Sequence, residues 1–102
     1  MDETEFLERV EATLNEVEAL AEREAAATGN EVEPSRSGNV LTLEFENHSK
    51  IIVNSQAAMQ EIWVAAKAGG FHFRLDGGRW RNTRDGTELF AALSQLVREQ
   101  AA

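Results

Sequence analysis

Carboxylates are the side chains of this chain that could do chemistry, and they are concentrated at one end. Residues 1–33 contain eleven acidic and two basic residues, whereas residues 34–102 contain seven and eight. The first third therefore carries a net charge of −9 and the remainder +1. Carboxylate oxygens are hard ligands that suit Mg, Ca, Mn and iron ions rather than soft metals. A concentrated negative charge also attracts the basic surfaces of other macromolecules.

Six of these carboxylates are predicted to form one exposed ridge. They are Glu8, Glu11, Glu18, Glu22, Glu31 and Glu33. On a helix that turns about 100° per residue, the first four fall within an arc of roughly 80°. The last two are two residues apart in an extended segment, so they point to one side of it. If that segment packs beside the helix, the ridge is continuous and would bind metal ions weakly. The alternative is a solvated helix face that only maintains solubility.

Other kinds of reactive site are not indicated. The chain has no cysteine, which excludes a thiolate metal site and a cysteine nucleophile. His48 is predicted in a turn and His72 on an open sheet face, and each is interpreted as a surface residue. No nucleophilic triad or phosphate-binding loop is present, and the paired glycines at 69–70 and 77–78 are typical of hairpin turns. We therefore expect a protein that is not an enzyme.

Length and composition bound the protein class. A chain of 102 residues with 42% hydrophobic residues is expected to form one domain over residues 1–102. The acidic N-terminus resembles no secretory signal, and no apolar run is long enough to span a bilayer. The acidic balance argues against binding to nucleic acid or to an anionic membrane surface. A cytoplasmic protein is the expectation.

The elements that must position the ridge begin with a long helix over residues 2–24. Asp2 is a candidate N-cap, with Glu5 three residues later. An apolar stripe at helical spacing runs from Phe6 to Val17. Gly29-Asn30 is a typical end signal, and the segment 31–33 is a short candidate strand that Pro34 restricts to a sheet edge.

The pattern then alternates with a period of two, which predicts strands joined by tight turns. The candidate strands cover residues 40–46, 50–53, 61–66, 71–76 and 79–81, and a second helix is predicted to begin at Asp85. Short turns make neighbouring strands antiparallel. Two amphipathic helices would then pack on one face of the sheet. The predicted fold class is α+β, a two-layer sandwich with two terminal helices on one face of an antiparallel sheet.

Trp63 is the residue whose placement the pattern leaves open. Its neighbours Ile62 and Val64 point opposite to it, so one of the two sets faces outward. A tryptophan exposed on a sheet is a candidate binding hot spot. In the alternative interpretation Trp63 belongs to the core and its neighbours lie half-covered at an edge. Trp80 has no clearer assignment.

The chain resembles the frataxin family, in particular its bacterial branch. The similarity is carried by residues 41–47 (LTLEFEN), 49–54 (SKIIVN) with Gln56, Ile62-Trp63 with Ala65, and Gly69-Gly70-Phe71-His72-Phe73. Trp80, Asp85-Gly86 and the acidic first helix also match. The resemblance implies the frataxin two-layer sandwich, which agrees with the fold class expected from the pattern.

The resemblance also implies a function in iron–sulfur cluster assembly. In that family an acidic ridge on the first helix and first strand binds ferrous and ferric iron weakly and meets a basic patch on the cysteine desulfurase. The matching positions here are Glu18, Glu22, Glu31 and Glu33, with Glu8 and Glu11 extending the ridge. The family's exposed sheet face, which meets the assembly machinery including the scaffold protein, maps onto Asn54, Gln56 and Trp63. The resemblance thus favours exposure of Trp63.

Three function classes follow. The first is an iron-binding regulator that docks on the cysteine desulfurase, monomeric without metal, with iron-driven oligomers as an alternative state. The second is an acidic interaction module that acts without iron. The third is an iron store or ferroxidase, which the absence of a buried His/carboxylate site disfavours.

Overall fold

The structure is a computed structural model that describes all residues from 1 to 102. It consists of two helices and six strands. In chain order they are α1 (Glu3–Ala27), β1 (Val32–Ser37), β2 (Val40–Phe45), β3 (Lys50–Gln56), β4 (Glu61–Ala66), β5 (Gly69–Asp76), β6 (Arg79–Asn82) and α2 (Leu89–Ala101). Neither helix combines the length and the apolar character that a membrane span requires.

The six strands form one antiparallel sheet in which spatial order equals sequence order, from β1 to β6. Tight turns make this meander possible, since each strand folds back beside its predecessor. β1 lies at one edge and is the strand that contains Pro34. Proline donates no backbone hydrogen bond, so an edge is the position a sheet tolerates best. The expected edge placement is therefore confirmed.

Both helices cover one face of the sheet, and the predicted α+β two-layer sandwich is confirmed. Every second residue along each strand points to the helices, as Leu41, Leu43 and Phe45 do in β2. They pack against the apolar stripe of α1, in which Phe6 and Leu14 are fully buried. The opposite face of the sheet is not covered by any element of the chain.

Trp80, which had no assignment from the pattern, belongs to the core. It is only 4% exposed, and its ring meets Phe6 edge-on at a centroid distance of 6.1 Å. Its indole nitrogen donates to the Thr13 hydroxyl on α1 at 3.0 Å. This bond satisfies the one polar group that the buried indole carries.

The helix boundaries differ from the prediction mainly at α2. The N-cap at Asp2 is confirmed, because its carboxylate accepts from the Glu5 backbone N–H at 2.8 Å. The start of the second helix at Asp85 was wrong, because Asp85 instead accepts from the Thr87 backbone N–H and closes a local turn. Glu88 is the N-cap, and α2 begins at Leu89. An Asp side chain favours such turns as readily as it caps a helix.

Candidate functional site

A concentration of negative charge lies around the β1–β2 edge of the sheet. Five carboxylates and one imidazole line a shallow surface groove there, and no lysine or arginine is among its lining residues. The carboxylates are Glu22 of α1, Glu31, Glu33, Glu44 and Glu46, and the imidazole belongs to His48. We call this group of six residues the acidic edge.

Strand alternation explains how the acidic edge forms. In β1, Val32, Pro34 and Arg36 turn towards the helices, and Glu33 turns towards the uncovered face. Glu33 pairs directly with Glu44 of β2 in the strand register. Just before β1, the Glu46 carboxylate accepts from the backbone N–H of Glu31 at 2.5 Å. Like charges directly opposite each other are destabilising, so a bound cation or a basic partner would reduce the repulsion at this edge.

Two other predicted ridge residues are engaged by a base that the sequence analysis did not consider. Arg36 of β1 reaches α1, where its Nη1 lies 2.6 Å from Glu18 Oε2 and its Nη2 lies 2.8 Å from Glu11 Oε2. Asn15 accepts a further bond from Arg36 Nη1 at 3.0 Å. The middle of the helix face is therefore partly neutralised.

The structure thus distributes the six predicted ridge residues over three settings. Glu22, Glu31 and Glu33 belong to the acidic edge, Glu11 and Glu18 flank Arg36, and Glu8 is exposed near the start of α1. No three His, Asp or Glu side chains of the chain converge so that they could hold one metal ion. The ridge remains a prediction as a metal site, and its chemistry is that of weak coordination by one or two carboxylates.

The second candidate surface is the uncovered face of the sheet around Trp63. Ile62 and Val64 are buried against the helices, so Trp63 points to the uncovered face, where it is half-buried. This settles the alternative that the pattern left open. Asn54 pairs with Trp63 across β3 and β4, and Gln56 pairs with Glu61. The three predicted partner-binding residues therefore lie side by side, and we call their surroundings the open face.

Glu61 is a member of the open face that the sequence analysis missed. Its side chain is only 4% exposed, and both carboxylate oxygens are occupied. Oε1 accepts from the Trp63 indole at 2.8 Å, and Oε2 accepts from Arg74 Nη2 at 2.6 Å. The hydrogen bond from Trp63, followed by the hydrogen bond and charge of Arg74, lowers the pKa of Glu61 below its ordinary value despite burial. The signal in the sequence was the Glu-x-Trp spacing, which places both residues on one face of a strand.

The two histidines lie where they were expected. His48 is exposed in the turn after β2, where it adopts a positive φ of 70°, and its Nδ1 is 3.9 Å from Glu44. His72 of β5 lies on the open face, where its ring stacks on Trp63 at a centroid distance of 4.2 Å. They are on separate parts of the sheet and form no common site.

Sequence comparisons place these features in a family. A family model described as a frataxin-like domain matches residues 1–102. The iron-sulfur cluster assembly protein CyaY of Herminiimonas arsenicoxydans is 61% identical over 101 residues, covering 98% of this chain and 90% of that protein. The CyaY protein of Cupriavidus taiwanensis is 59% identical, with 99% and 91% covered.

Solved structures show the same fold. Frataxin from Psychromonas ingrahamii superimposes with a TM-score of 0.80 at 32% identity, covering 98% of this chain and 91% of that one. Trimeric frataxin from the yeast Saccharomyces cerevisiae, complexed with ferrous iron, gives a TM-score of 0.64 at 27% identity. That match covers 99% of this chain and 86% of the yeast chain.

Proposed function

This chain belongs to the frataxin family, and on that premise we propose that it is an iron-binding regulator of iron–sulfur cluster assembly. The bacterial relatives are named as cluster assembly proteins, and the role proposed here is regulatory rather than catalytic. It acts by docking its acidic surface on a basic patch of the cysteine desulfurase. The observation that carries the proposal is the acidic edge, where five carboxylates meet with no lysine or arginine among them.

Iron binding is supported by the donor chemistry and by a relative. Ferrous and ferric iron are among the ions that carboxylate oxygens suit, and the yeast relative was solved as a ferrous complex. Glu22, Glu31 and Glu33 are the predicted ligands that the acidic edge contains. Because no three carboxylates converge, each ion would keep most of its water ligands and bind weakly.

Anaerobic titration of ¹⁵N-labelled protein with ferrous iron tests this part. Paramagnetic broadening is expected first around residues 22–33 and 44–48, and later around Glu11 and Glu18, which Arg36 already engages. The triple variant Glu22→Gln/Glu31→Gln/Glu33→Gln should lose most of the broadening. A matched control, Glu3→Gln/Glu16→Gln/Glu99→Gln, removes the same charge from exposed positions elsewhere and should keep it. Equal broadening in both variants would contradict iron binding at the acidic edge.

Docking on the desulfurase is tested by charge reversal. The double variant Glu22→Lys/Glu31→Lys should raise the dissociation constant about tenfold at low salt, since each rim charge pair contributes about 0.2–1 kcal/mol and reversal adds repulsion. The loss should shrink as salt screens the charges. Unchanged affinity at low salt would contradict docking through this edge. The variant Glu3→Lys/Glu99→Lys is the control for net charge.

The open face is proposed to meet the iron–sulfur scaffold protein. Asn54, Gln56 and Trp63 form a half-buried strip on neighbouring strands, and an accessible tryptophan is a frequent binding hot spot. The variant Trp63→Ala should weaken scaffold binding by at least tenfold. Trp80→Phe is the matched control, because Trp80 lies in the core.

The oligomeric state is a separate part of the proposal, and we propose a monomer without metal. The yeast relative was solved as a trimer, so sedimentation with and without iron is the corresponding measurement.

A second candidate function is an acidic interaction module that acts without iron. The observation that favours it is the absence of any three convergent carboxylates or histidines. Chelation distinguishes the two. If desulfurase activity responds equally to the protein before and after removal of iron, the module is the better description, whereas an iron-dependent response supports the regulator.

A further inference from the structure

The register of β4 and β5 brings four polar or aromatic side chains of the open face into one cluster. Glu61 pairs with Arg74, and on the next rung of the same face Trp63 pairs with His72. Residues directly opposite on one face of an antiparallel pair are close enough to interact. The four side chains are accordingly linked to each other by hydrogen bonds, a salt bridge and ring stacking.

Glu61 is the centre of this cluster and is unusual in being buried on a face that no other element covers. Its carboxylate is 4% exposed, whereas the Arg74 side chain is 59% exposed. Trp63 and Arg74 donate to its two oxygens, and no buried polar side-chain atom of the protein lacks a partner. A charge enclosed in this way is tolerated only when its hydrogen bonds are complete. Trp63 and Glu61 therefore fix each other.

The indole of Trp63 is restrained in two independent ways. Its plane is set by stacking on His72, with ring centroids 4.2 Å apart and an angle of 6° between the planes. Its orientation within that plane is set by the bond from the indole nitrogen to Glu61 Oε1 at 2.8 Å. A half-exposed tryptophan on a sheet would otherwise sample several rotamers. Here one orientation is prepared before any partner arrives.

We propose that Glu61 is a positioning residue, which holds the Trp63 ring in the orientation that a partner protein meets on the open face. This inference rests on the proposed function, because it takes the scaffold protein as the partner that Trp63 contacts. Glu61 acts through Trp63, since its own carboxylate is enclosed. Immobilising a side chain in advance reduces the entropy lost on binding, so removal of Glu61 is expected to raise the dissociation constant about three- to tenfold.

A purely structural role, in which Glu61 only joins β4 to β5 through Arg74, predicts a different outcome. In that case Trp63 would keep its environment in any variant that folds, and binding would change only in proportion to stability. A variant that loses stability far from the open face provides the comparison. Gln100→Ala serves this purpose, because Gln100 lies at the end of α2 and bonds to Lys67 and Ser49 on the turns.

The test measures the indole N–H of Trp63 and scaffold binding in the same proteins. The two tryptophans give separate indole signals in a ¹H–¹⁵N spectrum, and Trp63→Phe assigns them. In Glu61→Ala the Trp63 signal should move and its solvent exchange should accelerate about tenfold, as expected for a lost bond to a charged acceptor. The Trp80 signal should stay. In Glu61→Gln the amide oxygen can still accept from the indole, so exchange and affinity should return most of the way to the parent values.

Each outcome decides the question. Loosening of Trp63 with a three- to tenfold loss of affinity in Glu61→Ala, recovery in Glu61→Gln and neither change in Gln100→Ala would support positioning. An unchanged Trp63 signal in Glu61→Ala, or a mobile Trp63 with unchanged affinity, would overturn it. If Glu61→Ala does not fold, Glu61→Leu replaces it, because a leucine fills a similar volume but offers the indole no acceptor; the same loosening of Trp63 and the same loss of affinity are then expected, and their absence would overturn the proposal. If Trp63→Ala itself leaves scaffold binding intact, the open-face docking surface fails, and the positioning role fails with it.

Discussion

Arg36 of the edge strand β1 forms ion pairs with two carboxylates of α1. Its replacement should therefore lower the thermal stability of the protein by an amount that can be worked out from these contacts. In Arg36→Gln two ion pairs are lost, to Glu11 at 2.8 Å and to Glu18 at 2.6 Å. The Arg36 side chain is 20% exposed, so these pairs lie in the upper part of the range of about 0.2–1 kcal/mol for accessible pairs. With the bond to Asn15, the expected loss is about 1–2 kcal/mol.

For a domain of about 100 residues, 1 kcal/mol corresponds to roughly 4–8 °C in Tm. Thermal denaturation followed by circular dichroism at low salt should therefore show Tm lowered by roughly 5–15 °C. Arg23→Gln is the matched control, because Arg23 is an exposed base on α1 that takes part in neither of these ion pairs. It makes the same change in net charge and should lower Tm by much less.

The same variant should also change metal binding. With Glu11 and Glu18 released, ferrous iron should broaden residues 11–18 at lower concentrations than in the parent protein. Equal melting temperatures for Arg36→Gln and Arg23→Gln would refute the reasoning. A difference that persists undiminished in 1 M salt would also refute it, since charge pairs are strongly screened there.

Three further predictions concern stability. Hydrogen bonds from Ser94 and Arg98 lower the pKa of Glu24, and hydrogen bonds also lower the pKa values of Glu61 and Asp85. These three carboxyls therefore stabilise the fold above about pH 4.5 and lose that contribution as the pH falls through their folded-state pKa values. The urea midpoint should fall between about pH 5 and 3, and less steeply in Glu24→Gln, whereas a flat profile would contradict this. Leu93→Ala should cost about 2–5 kcal/mol in urea denaturation, because the side chain is fully buried; a loss below 1 kcal/mol would mean that the site is not packed as described. Gln100→Ala should cost about 1–3 kcal/mol, because the buried Gln100 side chain loses its hydrogen bonds to Lys67, Ser49 and Lys50; an unchanged urea midpoint would mean that water replaces these bonds.

The layers of the fold could be predicted from the sequence because each element is amphipathic at its own period. Leu41, Leu43 and Phe45 alternate with polar residues, and the stripe from Phe6 to Val17 repeats at helical spacing, so each pattern allows one burial direction. The start of α2 could not be fixed in this way. Asp85 and Glu88 are both suited to capping, and only the turn geometry at Thr87 decides between them.

The sites were less predictable, because side-chain partners depend on which residues meet across elements. Arg36 and Glu18 are eighteen positions apart, and Glu61 and Arg74 are thirteen apart. No local pattern relates the residues of either pair. The sequence therefore showed how many carboxylates exist, while the register decided which of them are neutralised, which are enclosed and which remain free.

The register of β1 shows why the acidic surface takes the form it does. Arg36 faces α1 and Glu33 faces away from it, because the side-chain direction alternates along the strand. A slip by one residue would exchange them. Glu33 would then face the carboxylates of α1 without a base, and Arg36 would leave Glu18 unpaired. The observed register avoids both costs by placing the one base of β1, Arg36, against the helix and its one acid, Glu33, at the β1–β2 edge. The charge concentrated in the first third of the sequence is thereby divided between a helix face that Arg36 partly neutralises and an edge whose lining contains no lysine or arginine.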